Sequence, residues 1–283
     1  MSGELSLGAD VRALGAAARA QWHILFRYPA AAIGQIFWPV MLPAVWVLMG
    51  RAYSGNGDSQ ALDAFASRSG TTGITLFVFV GYAMYMWLST LLWGPGTSLR
   101  RDQMTGTLES VFLTPVSRVV PLFGPTLTNV CWTVFQLVFM GLAVWLLFGV
   151  TLPLGGMVLT LLVVLAGMPA MYAMGALFGA GVLRFGEIGP AVQFTRGALS
   201  LLCGITFPIV MLPAWAQATS NAMPPTYIVS AMRAALLQNA GPIDLLPAAA
   251  TLLGLAAAIG AFAIFIFGVL ERSARRTGML GRF

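Results

Sequence analysis

Six stretches of the chain, residues 30–50, 73–93, 125–148, 154–183, 190–210 and 245–270, are apolar almost throughout, and Arg196 is the one charged side chain among them. Each is close to the roughly 20 residues with which a helix crosses about 30 Å of hydrocarbon. A peptide group in that medium has no water to bond, so its donors and acceptors must be met within the segment, and the helix does this. Of the 283 residues, 58% are hydrophobic and 8% charged, against roughly 25% charged in a soluble domain. The chain is therefore expected to be an all-α integral membrane protein, with one transmembrane domain spanning residues 1–283.

The 15 basic residues are all arginine, and they orient the helices. With the N-terminus inside, Arg12, Arg19, Arg27, Arg100, Arg101, Arg118, Arg184, Arg196, Arg272, Arg275, Arg276 and Arg282 lie in or near the cytoplasm, and Arg51, Arg68 and Arg233 lie outside. The positive-inside rule favours this topology over its inverse, placing both termini in the cytoplasm and the chain in the plasma (inner) membrane. Arginines spread so evenly make no basic face, which argues against nucleic acid as a partner and leaves membrane lipid.

Residues 1–28 form an amphipathic pattern. Val11, Leu14, Ala18, Trp22 and Leu25 fall on one helical face and Arg12, Arg19, His23 and Arg27 on the other, as in a helix lying in the membrane interface. The segment lacks the uninterrupted apolar core and small-residue cleavage site of a secretory leader, so it is expected to be retained. Cys131 and Cys203 fall inside apolar runs and imply no disulfide framework.

Two connections on the outer side differ in kind. Residues 51–72 are rich in Gly, Ser and Asp and read as a short flexible loop. Residues 211–243 are apolar yet broken by Pro213, Pro224, Pro225 and Pro242, which excludes one straight helix. Two short helices, 214–221 and 226–238, are expected to cap the outer end of the bundle, with Trp215 and Tyr227 at headgroup level.

The usual parts of a membrane enzyme are missing. There is one histidine, no pair of acids inside any span, no GxSxG elbow and no GxxxxGK[ST] phosphate loop. No metal site or cofactor is expected in this chain, and no intraspan Asp, Glu or Lys suggests proton coupling.

The polar interval RRDQMTGTLESVFLTPVSR, residues 100–118, has a pattern of its own. Thr105 or Thr107 can cap a short helix, Glu109 lies in its first turn where the dipole favours an anion, and Pro115 stops it. Leu108 and Phe112 share one face, ringed by Arg100, Arg101, Asp102, Glu109 and Arg118, which makes a docking surface on the cytoplasmic side.

Here the sequence resembles a family. Gly106, Thr107, Leu108 and Glu109 followed by Thr114 and Pro115 are similar to the GTLE…TP signature of type-2 ATP-binding-cassette (ABC-2) transporter permeases, where this segment is the cytoplasmic coupling helix. Pro208, Leu212, Pro213, Trp215, Gln217, Pro224, Thr226, Tyr227 and Arg233 follow the same family's outer pattern, P…LP.WLQ…NPLTY…R. The chain departs from the pattern at Gln103, Met104 and Thr105, where the family has an acidic and basic run, and at Met223 and Ser230, where it has Asn and Glu. The resemblance implies six transmembrane helices with an N-terminal interfacial helix, a coupling helix within 99–118 and proline-broken short helices within 211–243. It also implies a permease that pairs with a second permease copy, like or closely homologous, and with separate ATPase subunits that carry the ATP and Mg. Such a subunit exports a hydrophobic or amphipathic substrate such as a drug, lipid or glycan. By the same resemblance Arg101, Asp102, Gly106, Thr107, Leu108, Glu109, Phe112, Thr114 and Pro115 would contact the ATPase. A stand-alone channel or secondary carrier, or a membrane scaffold, is the alternative a partnerless chain would support.

Two polar stripes fall within spans. Thr126, Asn129, Thr133 and Gln136 recur on one face of the third, and Gln193, Arg196 and Ser200 on one face of the fifth. Each can line a substrate path or hydrogen-bond a neighbouring helix. Arg196 is also placed to snorkel to the cytoplasmic interface. The GALFG of residues 175–179 allows close helix packing.

Overall fold

The computed structural model describes residues 29–53, 66–67, 73–94, 119–185 and 188–277. Among these every regular element is helical: α1 (Pro29–Tyr53), α2 (Ile74–Trp93), α3 (Val119–Phe148), α4 (Leu154–Phe185), α5 (Ile188–Leu202), a 3-10 turn (Ile209–Met211), α6 (Ala214–Ser220), α7 (Pro224–Leu237) and α8 (Pro242–Thr277). The expected interfacial helix 1–28 and coupling segment 99–118 lie outside the described residues.

Four described segments are long and apolar enough to span a membrane: Ile74–Trp93, Val130–Phe148, Leu154–Gly179 and Pro242–Ile266. The first expected span coincides with α1, a helix carrying Pro39 and Pro43 whose apolar stretch is Phe37–Met49.

The fifth expected span, 190–210, is corrected. Its helix ends at Leu202 after 15 residues, roughly 22 Å against the 30 Å of hydrocarbon. Gly204 adopts φ +69, a left-handed conformation natural to glycine, and Pro208 in extended backbone prevents the helix from resuming. The apolar run thus continues to residue 210 while the helix does not.

The core lies where α2, α4 and α7 meet. Met84, Leu88, Leu91 and Leu92 of α2 are fully buried, as are Met171 of α4, Ile228 and Met232 of α7 and Leu252 of α8. Gly175 of the GALFG stretch accounts for part of that closeness, since a Cβ there would lie 2.9 Å from the Leu91 side chain. A smaller cluster joins Ala44 and Val47 of α1, Phe79 of α2, and Met140 and Val144 of α3. The outward faces are no less apolar: Leu154, Phe194 and Ile264 are each more than three-quarters exposed, as suits helices whose solvent is lipid.

The proline-broken interval forms helices close to those expected, at Ala214–Ser220 and Pro224–Leu237, but α7 does not cap the bundle. Near its C-terminal end, a Cβ on Gly156 of α4 would meet the Ala235 carbonyl oxygen at 2.6 Å. Seven residues earlier Ile228 packs on Gly167, roughly 16 Å farther along α4. Pro224, Pro225, Thr226, Ile228, Val229, Ala231, Met232 and Ala235 are buried. Helix α7 is therefore re-entrant, inserted among α2, α4 and α8. Pro224 and Pro225 make the insertion possible, because at the first two helical positions they remove N–H groups that would otherwise need partners. Met223 provides no side-chain cap there, and none is needed for those two positions.

Candidate functional site

Arg233 holds the inserted helix in place. It is the only arginine in α7, and its two terminal nitrogens reach three carbonyls: Nη1 donates to Gly204 at 2.6 Å, and Nη2 to Ile205 at 3.0 Å and Phe77 at 3.3 Å. These join α7, the irregular segment after α5 and the start of α2. The guanidinium carbon also lies 3.4 Å from the centroid of the Phe77 ring. Among the described residues the partners of Arg233 are dipoles and a π-face, which offset its desolvation.

The turn between α6 and α7 is closed by its own polar groups. Ser220 and Thr226 are both buried, their hydroxyls 3.1 Å apart, and Thr226 Oγ1 donates to the Ser220 carbonyl at 2.7 Å. Tyr227 Oη donates to the Asn221 carbonyl at 2.8 Å. Gln217 Nε2 donates to the Leu212 carbonyl at 2.8 Å, and Pro208 and Pro213 are the N-caps of the 3-10 turn and of α6. Nearly every residue of the outer motif thus has a shaping role, and Trp215 alone projects freely, 69% exposed. Asn221 and Ala222 at the tip of the hairpin are exposed. Ser230 bonds back to the Thr226 carbonyl at 2.8 Å.

The two span stripes differ in setting. Thr133 and Gln136 are buried and face a cavity of about 10 Å³ shared with Met84, Trp87, Val164 and Met232. Trp87 Nε1 is buried without a protein acceptor, and a space of this size suits one water. Thr126 and Asn129 lie on α3 at positions whose side chains are outside those described.

Arg196 is half-buried and faces α2: Nη1 donates to Ser89 Oγ at 3.0 Å, Nη2 bonds Gln193 Oε1, and the guanidinium lies 4.9 Å from the Tyr85 ring centroid. Tyr82 adjoins Tyr85 with ring centroids 5.4 Å apart. Ser200 is turned away, donating to the Gly197 carbonyl at 2.8 Å. Gln193 and Arg196 therefore share a polar, aromatic patch with α2 that Ser200 does not join.

The coupling residues Arg101, Asp102, Gly106, Thr107, Leu108, Glu109, Phe112, Thr114 and Pro115 lie outside the described residues. Their segment follows the C-terminal end of α2 and leads into α3, whereas Arg233 of α7 bonds Phe77 in the first turn of α2. Sequence reasoning missed Gly81. A Cβ there would fall 2.0 Å from the Ile205 carbonyl oxygen, so the segment after α5 lies directly on α2. A lone glycine among the large side chains of α2 was the available signal.

The ABC-2 type transporter family matches the chain over residues 13–237, which includes both motifs. No curated protein matches it.

Proposed function

The chain belongs to the ABC-2 type transporter family, and from that membership we propose that it is the permease subunit of an ATP-driven exporter. In this reading it pairs with a second permease copy in the plasma membrane, both termini in the cytoplasm, and binds separate ATPase subunits through residues 99–118. ATP and Mg sit on those subunits, and their closure moves the coupling helix and so α2 and α3. The path opens between the permeases for a hydrophobic or amphipathic substrate.

The observation that supports this most is the exposed tip of the α6–α7 hairpin. Non-helical backbone within a membrane protein is tolerated against protein or water but not against lipid. Asn221 and Ala222 are exposed in the single chain, and a facing permease copy or an aqueous path between copies would supply their surroundings. Arg196 and Gln193 are the residues best placed to meet a polar part of the substrate, because their patch is only half-buried and carries a cation.

The test is copurification from native membranes, with mass spectrometry of the recovered proteins and small molecules. A separate ATPase is expected in stoichiometric amount, with ATP hydrolysis in the complex and none in the isolated chain. Recovery without an ATPase, together with transport in liposomes by the chain alone, would establish a channel or carrier instead.

A further inference from the structure

Helices α3 and α4 are consecutive in the chain, yet they pack on other elements: α3 on α2 and α1, α4 on α7, α8 and α2. Between them lies a cavity of about 280 Å³, near the lower end of the range for small-ligand sites. Its wall is hydrocarbon, with Leu76 and Phe79 from α2, Leu137 and Val144 from α3, Met157 from α4 and Leu236 from α7. Val138 and Val158 also line it and are more than half exposed. The cavity therefore opens sideways, between two helices that cross the membrane.

One group in this wall does not fit a purely apolar filling. Thr160 is 2% exposed, and its Oγ1 has no hydrogen-bond partner. A helical threonine ordinarily satisfies its hydroxyl on the carbonyl one turn back, as Thr90 and Thr251 do here. Leaving a buried hydroxyl unmet is unfavourable. Thr160 lies six residues from the start of α4, roughly 9 Å along the helix.

We propose that this cavity holds one acyl chain of a bilayer glycerolipid, whose ester carbonyl accepts a hydrogen bond from Thr160. The occupant is commited by the setting: the opening is bounded by apolar side chains of two membrane spans, so lipid is the solvent at its mouth. The chain fills the hydrocarbon pocket beside the re-entrant helix, and the carbonyl meets the one unsatisfied donor in it.

The test uses the full chain in nanodiscs doped with phosphatidylcholine carrying a diazirine on one acyl chain, in matched ester-linked and ether-linked forms. Irradiation and peptide mapping should place ester-probe label on residues 137–144 and 152–161 severalfold above the exposed stretch at Phe262 and Phe265 of α8. The ether probe, lacking the carbonyl, should label the cavity about three- to tenfold less. Thr160→Val, which keeps the side chain's shape, should abolish the difference between the probes. Gly141→Leu should reduce cavity label while leaving the α8 label unchanged, because its side chain enters the cavity where the nearest atoms are the flexible ends of Leu152 and Met157. Labelling that follows exposure alone, or an ester preference that survives Thr160→Val, overturns the proposal. Neither result depends on an ATPase or on transport, so the proposal and the exporter reading can fail separately.

Discussion

Arg233 and Phe77 meet as cation and ring, 3.4 Å from guanidinium carbon to ring centroid, and the same arginine bonds the Phe77 carbonyl. The pair fastens the re-entrant α7 to the first turn of α2, and the bonds to Gly204 and Ile205 fasten both to the segment after α5. The proline-broken interval and the outer arginine, both expected from the sequence, and the shortened fifth helix found in the structure meet at this one side chain.

Replacing Arg233 should accordingly unfasten all three. Arg233→Ala is expected to cost about 3 kcal/mol or more, since hydrogen bonds from a charged donor are worth roughly 1.5–3 kcal/mol each. Arg233→Lys should recover only part of this, because an ammonium lacks the planar fork that spans separate carbonyls. Thermal unfolding in detergent reads the effect, and equal midpoints for wild type and Arg233→Ala would remove the clamp.

Gly81→Ala should be severe for a substitution of one methyl group. The new Cβ would lie 2.0 Å from a backbone oxygen, which cannot rotate away as a side chain can, and overpacking of this kind costs about 1–3 kcal/mol or more. Gly34→Ala is the matched comparison, with nothing within 4 Å of its Cβ, and should be neutral or slightly stabilising. Size-exclusion profiles of the two variants should differ in the fraction of monodisperse protein.

The sequence predicted the short helices to within a few residues, because Pro213, Pro224 and Pro225 act locally and leave the backbone little choice. Burial of α7 was not legible, since Ile228 and Met232 are as suitable for lipid as for a protein core. The end of α5 was obscured by the apolar residues that follow Gly204, whose φ of +69 is a tertiary outcome. Arg233 was identifiable by motif, yet its partners lie up to 156 positions away. The coupling helix rests on its motif alone, as its residues fall outside those described.

Arg196→Gln should separate stability from transport. The arginine is half-buried and bonds Ser89 and Gln193, so its removal is expected to cost about 1 kcal/mol, while a charge at membrane depth is ordinarily functional. Transport by the assembled complex should fall roughly tenfold at near-normal expression, the equivalent of about 1.4 kcal/mol at the rate-limiting step. Unchanged transport would leave Arg196 as a helix-packing residue.

The orientation is testable without any partner. Cysteines introduced at Ser59 and Ser273 should react with membrane-impermeant maleimide from opposite sides, because the arginine bias places the first loop outside and the C-terminal end inside. Labelling of both from the same side would contradict the topology and the cytoplasmic position of residues 99–118 with it.

Glu109→Arg tests the lever itself. Glu109 lies in the first turn of the expected coupling helix, where a carboxylate favours the helix dipole and can also meet a basic group on the ATPase. Reversal of its charge opposes both interactions. An exposed charge at a helix N-terminus contributes about 1 kcal/mol or less, so insertion and folding should remain near normal. Coupling should not: a helix that docks poorly cannot transmit ATPase closure to α2 and α3. The expected result is a variant present in the membrane at normal level, with transport and substrate-stimulated ATP hydrolysis both lost. Normal transport at normal expression would make residues 100–118 a solvated connection with no part in coupling.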